Sequence, residues 1–168
     1  IIDYQLLSEI ESNCEISYDD IAHYKEHSLE FHLIFLQHLL KDKEFRIVPI
    51  LTGSPAHYFN EKITPDNVEN YNKVIESIKN AIKSSDKNVL ILSSGDLSHV
   101  GRKFGDDFSA ASELLRLKHE DESIIEKLTS SDKNAFFNEI AETNDKNRIC
   151  GTAPFYAALN LTNSKKVT

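Results

Sequence analysis

Apolar residues recur every three or four positions along several segments, which is the spacing of an amphipathic helix. The clearest stripe consists of Leu29, Leu33, Leu36 and Leu40 in the segment that starts at His27, and further apolar residues widen it. A stripe of this width predicts a largely buried helix over residues 27–40. The same spacing predicts further helices at residues 3–13, 68–82, 106–119, 121–129, 132–142 and 154–161.

Two short apolar runs lack the helical spacing. These runs are residues 46–51 and 88–92, in which every residue after Arg46 and Asn88 is Val, Ile or Leu, apart from Pro49 in the first run. Such runs are typical of buried strands in a parallel sheet, although proline disfavours a central position because it removes a hydrogen-bond donor. Alternating helices and strands predict an α/β fold, with a central sheet flanked by helices and incomplete at both ends.

Composition and charge restrict the class of protein and its partners. The chain has 168 residues and a formal net charge of −8, so it repels nucleic-acid phosphates and anionic membranes. No apolar stretch is long enough to span a bilayer. Two cysteines are too few for a disulfide scaffold, so we expect both to be reduced and the protein to be cytoplasmic, without a nucleic-acid or membrane partner.

The organisation expected from the sequence is one domain over residues 1–168. No internal repeat or linker composition divides the chain. The sequence starts with Ile1 and contains no methionine. We therefore expect a fragment of a longer chain.

A carboxylate and an imidazole follow the second predicted strand. Asp96 and His99 are three residues apart, between Gly95 and Gly101. In open α/β sheets, ligands bind beyond the carboxyl ends of the strands, and a neighbouring Asp can orient a His and raise its basicity. His99 is therefore a candidate general acid, general base or metal ligand. The alternative is a turn in which Asp96 caps the chain and His99 is simply exposed.

Cys150 is a second candidate because a helix is predicted to start just after it. Thr152 suits the N-cap of that helix, and Pro154 fits its first turn. A thiol next to a helix N-terminus is favoured as the thiolate, the form that binds metals or attacks a substrate. The alternative is a buried structural cysteine, which is the commoner situation.

Glu26 and His27 stand at the start of the long predicted helix. Glu30 is four residues after Glu26 and shares its helix face. By itself this segment favours an ordinary helix start, since acidic groups stabilise the positive end of a helix. Glu26 and His27 therefore remain secondary candidates for a pocket.

Three segments, in this order, resemble the Memo family, which includes protein B of the Memo–radical-SAM gene-neighbourhood system. They are Glu-His-Ser-Leu-Glu at 26–30, Ser-Gly-Asp-Leu-Ser-His-Val-Gly at 94–101 and Asp-Lys-Asn-Arg-Ile-Cys-Gly at 145–151. The apolar run 47–51 falls between the first two, as in the family. The order and spacing agree over nearly the whole chain.

The resemblance implies a fold similar to that of class III extradiol dioxygenases, with a metal site. Cys150 matches the family's metal-binding cysteine, and Asp96 and His99 match an Asp–His pair beside the site. Two further histidines of the family site have no counterpart in this sequence. A thiolate ligand favours iron or copper, with zinc as an alternative, over magnesium or calcium.

Three functions follow from the resemblance. The first, which we favour, is a metal-dependent oxidoreductase in which Cys150 binds the metal, His99 is the acid/base and Asp96 orients His99. The second is a non-catalytic module that binds a peptide or protein, since animal members are discussed as phosphotyrosine-peptide binders. The third is a copper-binding protein without turnover. The bacterial gene neighbourhood implies a radical-SAM enzyme as a partner.

Overall fold

The computed structural model describes residues 1–17, 19–24 and 26–162, and 58% of these residues are helical. No helix in these ranges is both long and apolar enough to cross a membrane. Short 3₁₀-helices occur at Pro65–Asn67, Arg102–Phe104 and Ala110–Ser112. The α-helices are α1 (Tyr4–Glu11), α2 (Asp20–Tyr24), α3 (His27–Leu40), α4 (Ala56–Glu61), α5 (Glu69–Ser84), α6 (Leu114–Thr129), α7 (Lys133–Ala141) and α8 (Thr152–Leu161).

The prediction of an α/β fold with a central sheet is wrong. The described residues contain no strand, and their β-type pairing is an isolated parallel bridge between Ile2 and Ile47. The second predicted strand, residues 88–92, has no regular structure, and Leu90 is 79% exposed. An apolar run becomes a strand only when a neighbouring strand satisfies its backbone groups. Within the described residues, 88–92 has no such neighbour and 46–51 is paired at Ile47 alone, so neither run becomes a strand.

The helix predictions agree with the structure better than the strand predictions do. The bounds of α3 are the predicted ones, and α1, α5, α7 and α8 occupy segments predicted to be helical. The two helices predicted at 106–119 and 121–129 are instead the single helix α6, and α2 and α4 were not predicted. The predicted burial of α3 is also wrong, since none of its residues is buried and Phe35 is 67% exposed. An apolar stripe indicates a preference for burial but does not supply a packing partner.

Two compact units make up the chain: Ile1–Thr52 with Pro65–Ser94, and Gly53–Thr64 with Gly95–Thr168. In the first unit, α1 packs against α5, which buries Ile10, Ile75 and Ile78. The prediction of a single domain stays a prediction.

The second unit is built on α6, α7 and α8, which pack in sequence order. Phe136, Ile140 and Tyr156 are almost completely buried at its centre. The ring of Phe137 packs in a tilted arrangement on Phe59, with centroids 5.1 Å apart, and makes an edge contact with Tyr156, with centroids 5.4 Å apart. This core supports the loops that carry the candidate site residues.

Asp3 is expected to make the stability of the first unit depend on pH. Its carboxylate accepts hydrogen bonds from Lys87 Nζ at 2.9 Å and from the Leu6 N–H at 3.2 Å. The Lys87 hydrogen bond, followed by that from Leu6, lowers the pKa of Asp3 below its ordinary value of 3.8. Because the folded-state pKa is the lower one, this stabilisation is present above the unfolded pKa and is lost as the pH falls through the folded pKa.

We therefore expect Asp3→Asn to lower the urea midpoint of unfolding at neutral pH, and the difference from the parent chain to shrink in acid. Urea titrations from neutral to strongly acidic pH measure this. Asp42→Asn, at an exposed position of the same unit, should leave the midpoint unchanged throughout. A difference for Asp3→Asn that stays constant with pH would contradict the assignment.

Candidate metal centre

Asp96, His99 and Cys150 come together in the second unit. One candidate ligand atom from each residue lies within 4.8 Å of the other two. His99 Nε2 lies 3.7 Å from Asp96 Oδ2. The structure thus forms one cluster from residues far apart in sequence, and their chemical roles remain predictions.

Glycine at position 95 allows the two loops of the cluster to touch. A Cβ atom on Gly95 would lie 2.4 Å from the Cα of Gly151, which is closer than real Cβ atoms approach. The Gly151 N–H donates a hydrogen bond to the Asp96 carbonyl oxygen at 3.0 Å. The backbones at 95–96 and 150–151 are therefore in direct contact, and this contact brings Asp96 to Cys150.

The Cys150 thiol is exposed, so the alternative of a buried structural cysteine is wrong. Its Sγ accepts a hydrogen bond from the Asp96 N–H at 3.2 Å. The residue precedes α8, as predicted, but Gly151 and not Thr152 occupies the N-cap position. Thr152 instead donates its hydroxyl to the Ile149 carbonyl oxygen at 2.8 Å. Cys150 and Cys14 are both free cysteines.

The His99 imidazole is held in one orientation. Its side chain is only 23% exposed, so the alternative of a simply exposed histidine is wrong. The Nδ1 atom lies 2.8 Å from the Leu97 carbonyl oxygen. Since a carbonyl oxygen only accepts, Nδ1 carries the proton and donates, which leaves the lone pair of a neutral ring on Nε2. Metal-binding imidazoles are commonly oriented through a hydrogen bond of this kind.

Asp96 lies on the Nε2 side of the ring, and its side chain is 81% exposed. The hydrogen bond at Nδ1 is made by the Leu97 carbonyl oxygen, and the orienting role expected for Asp96 stays a prediction. The Nε2 lone pair and the Asp96 carboxylate are both electron-rich groups 3.7 Å apart. Such a pair is stabilised by a cation between its members.

Arg148 is a residue of this region that the sequence analysis missed. Its Nε donates to the His99 carbonyl oxygen at 2.9 Å, and its Nη2 donates to Asp106 Oδ2 at 2.6 Å. The Arg148 hydrogen bond, with a further one from the Gly101 N–H, lowers the pKa of Asp106. Arg148 can be seen in the sequence shortly before Cys150, but no spacing rule identifies Asp106 as the partner of Arg148.

Asn147 was also missed. It is buried, and its carbonyl oxygen accepts the His99 N–H at 2.7 Å, while its side-chain amide donates to Glu120 Oε2 at 2.8 Å. Burial alone would raise the pKa of Glu120, but hydrogen bonds from Lys146 and Asn147 and the charge of Arg116 lower it overall. Glu120 therefore stays ionised and ties the Cys150 loop to α6.

Glu26 and His27 lie in the first unit. The Glu26 carboxylate accepts the Ser28 N–H at 2.8 Å and caps α3, and this hydrogen bond lowers the pKa of Glu26. The His27 side chain is 73% exposed, with Nδ1 3.9 Å from Glu26 Oε1. These contacts favour the ordinary helix start, and a pocket role for the two residues stays a prediction.

Comparison with known proteins identifies the family. A MEMO1 family protein of Aquifex aeolicus is 30% identical over 152 residues, covering 89% of this chain and 36% of the relative. One from Thermococcus kodakarensis is 32% identical over 156 residues, covering 89% and 49%, and one from Saccharolobus islandicus is 30% identical over 161 residues, covering 95% and 48%.

The chain therefore spans about half, or less, of the length of these relatives. No solved structure matches it significantly. The family model described as Memo-like protein matches residues 1–168. Since this match covers the whole sequence, the chain belongs to the Memo-like protein family.

Proposed function

We propose that Cys150, His99 and Asp96 contribute to the metal centre of a metal-dependent oxidoreductase related to the class III extradiol dioxygenases. The observation that carries this proposal is the convergence of the three ligand atoms within 4.8 Å. A set of thiolate, imidazole and carboxylate donors suits iron or copper, or zinc, better than magnesium or calcium. A bound ion of this kind supplies Lewis-acid chemistry and, for iron or copper, electron transfer.

The donor groups fit a metal ion in three respects. The lone pair of His99 is on Nε2, the nitrogen that faces Asp96. The Asp96 carboxylate supplies negative charge 3.7 Å from that nitrogen. The Cys150 thiol is exposed, so an ion can reach it from solvent. The backbone contact between the two loops holds these donors together before any ion binds, which reduces the ordering cost of binding.

Each side chain of the centre has its own proposed role. Cys150 anchors the ion, because sulfur is the softest donor of the three. His99 either ligates the ion or transfers a proton at Nε2, and imidazole suits proton transfer near neutral pH. Asp96 stabilises positive charge beside that nitrogen. The Phe104 ring packs against the imidazole in a T-shaped arrangement, with ring centroids 5.0 Å apart.

Cobalt(II) binding tests the metal centre, because a cobalt–thiolate bond gives a charge-transfer absorption band. We expect the parent chain to show this band. Cys150→Ser should lose the band and bind cobalt more than about 100-fold more weakly, a larger loss than the 10–100-fold typical of a second-shell partner. Cys14→Ser is the matched control, since Cys14 is also free and lies in the first unit. Equal cobalt binding by the two variants would reject the proposal.

Oxygen uptake then distinguishes the three candidate functions. With the iron-loaded chain and a catechol-type substrate, an oxidoreductase consumes oxygen, and His99→Ala lowers the rate while the thiolate band persists. Tight copper(I) binding without oxygen uptake favours copper handling. Binding of a peptide that survives both His99→Ala and metal removal favours the non-catalytic module.

A further inference from the structure

The guanidinium of Arg148 joins the two loops of the candidate metal centre. Arg148 is two residues before Cys150, and its Nε donates to the His99 carbonyl oxygen at 2.9 Å. Its Nη2 donates at 2.6 Å to Asp106 Oδ2, which also accepts the Gly101 N–H at 2.6 Å. One side chain thus connects the Cys150 loop to the His99 backbone and, through Asp106, to the backbone two residues beyond His99.

The backbone that presents Arg148 adopts an uncommon conformation. Arg148 has a φ of 54°, and Asn144 and Asp145 both have a φ of 51°. Such left-handed conformations are costly for residues other than glycine, and they persist where surrounding contacts enforce them. Here the Arg148 N–H donates to the Asp145 carbonyl oxygen at 2.9 Å, and the Ile149 N–H donates to Asp145 Oδ1 at 2.8 Å.

The same loop is fixed on its other side by α6. The Asn147 amide donates to Glu120 Oε2 at 2.8 Å, and Lys146 Nζ donates to Glu120 Oε1 at 2.7 Å. These contacts locate the loop on the core of the second unit but do not reach His99 through a side chain. The Cys150 Sγ accepts the Asp96 N–H at 3.2 Å, and the side-chain connection to His99 itself and to Asp106 is made by Arg148.

Building on the proposed metal centre, we propose that Arg148 is a positioning residue that sets the separation between the Cys150 thiol and the His99 imidazole. Its side chain is 44% exposed, so removing it should disturb the centre more than the fold. The bridge needs two donors in a fixed planar arrangement, and a lysine ammonium cannot reproduce that geometry.

Cobalt(II) titration of four variants tests the role of Arg148. Arg148→Met keeps the aliphatic stem and removes both donors. It should weaken cobalt binding about 10–100-fold, the range for losing a group that orients a ligand, and should shift the thiolate band. Arg148→Lys keeps the positive charge but lacks the paired planar donors of the guanidinium. Its cobalt affinity should lie between that of Arg148→Met and that of the parent. Asp106→Asn should also weaken binding, because it removes the charge that holds the guanidinium. Arg102→Met, an equal charge change on the adjacent exposed turn, should bind cobalt as the parent does.

The outcomes separate this proposal from the one on which it rests. Parent-like cobalt binding by Cys150→Ser would reject the metal centre itself. Loss of binding by Cys150→Ser, together with parent-like affinity and band position for Arg148→Met, would reject only the positioning role. If circular dichroism shows that Arg148→Met does not fold, the near-isosteric Asp106→Asn decides, and parent-like binding by that variant overturns the proposal.

Discussion

Replacing Phe136 with alanine is expected to lower the free energy of unfolding of the second unit by about 3–5 kcal/mol. Phe136 has no exposed surface, and its ring forms a T-shaped pair with Phe155, with centroids 6.4 Å apart. Removing the ring forfeits its burial and leaves a cavity that α7 and its neighbours can fill only in part. The loss should also reach the candidate metal centre, because the Phe155 ring lies directly against Gly151.

Urea unfolding followed by circular dichroism measures this loss, with the slopes compared to check that the same surface is exposed. Phe35→Ala makes the same chemical change where the side chain is 67% exposed, and should stay within about 0.5 kcal/mol of the parent. Phe136→Leu keeps most of the side-chain volume, so it should lower the free energy of unfolding less than Phe136→Ala does. A loss below about 1 kcal/mol for Phe136→Ala would show that this position is not central to the core.

The helices could be predicted because their hydrogen bonds are local. Each N–H pairs with a carbonyl four residues earlier, so the periodicity of a segment contains most of the information needed. The apolar stripe of α3 therefore marked its bounds, and that of α5 marked its centre. The stripe did not reveal what covers it, and Phe35 and Leu39 are 67% and 72% exposed.

The strands could not be predicted in this way, because a strand exists only through its neighbours. The residues of 88–92 have the composition of a buried strand, yet they pair with no other segment of the described chain, and Leu92 is 50% exposed. Among the described residues, the segment 46–51 is paired through the isolated bridge between Ile47 and Ile2. Composition indicates what a segment prefers, and only the rest of the fold decides whether that preference is met.

The candidate metal centre was partly visible in the sequence. The resemblance marked Asp96, His99 and Cys150, and the structure brings them together. The contacts that orient them were not visible, because backbone groups of Leu97 and Asn147 make several of them and every residue carries such groups. The Arg148 bridge also escaped detection, since its partners lie more than forty positions earlier.

Replacing Gly95 with alanine is expected to dismantle the candidate metal centre without removing any of its donor groups. The new Cβ would lie 2.4 Å from the Gly151 Cα and 3.1 Å from the Gly151 nitrogen. Both atoms are backbone, so no side-chain rotation relieves the clash and the two loops must separate. Disturbing the groups that orient metal ligands typically weakens metal binding by about 10–100-fold, and we expect cobalt(II) affinity to fall by about that factor.

Overpacking of this kind typically costs about 1–3 kcal/mol, so Gly95→Ala should also lower the urea midpoint. Gly53→Ala is the matched control, because a Cβ there meets no atom within 4 Å, and cobalt binding should be unchanged. Parent-like cobalt affinity in Gly95→Ala would mean that the backbone contact with Gly151 does not set the distance between Asp96 and Cys150. Loss of the thiolate band in a variant that keeps its helical signal would instead show that this contact assembles the centre, since Asp96, His99 and Cys150 are all retained.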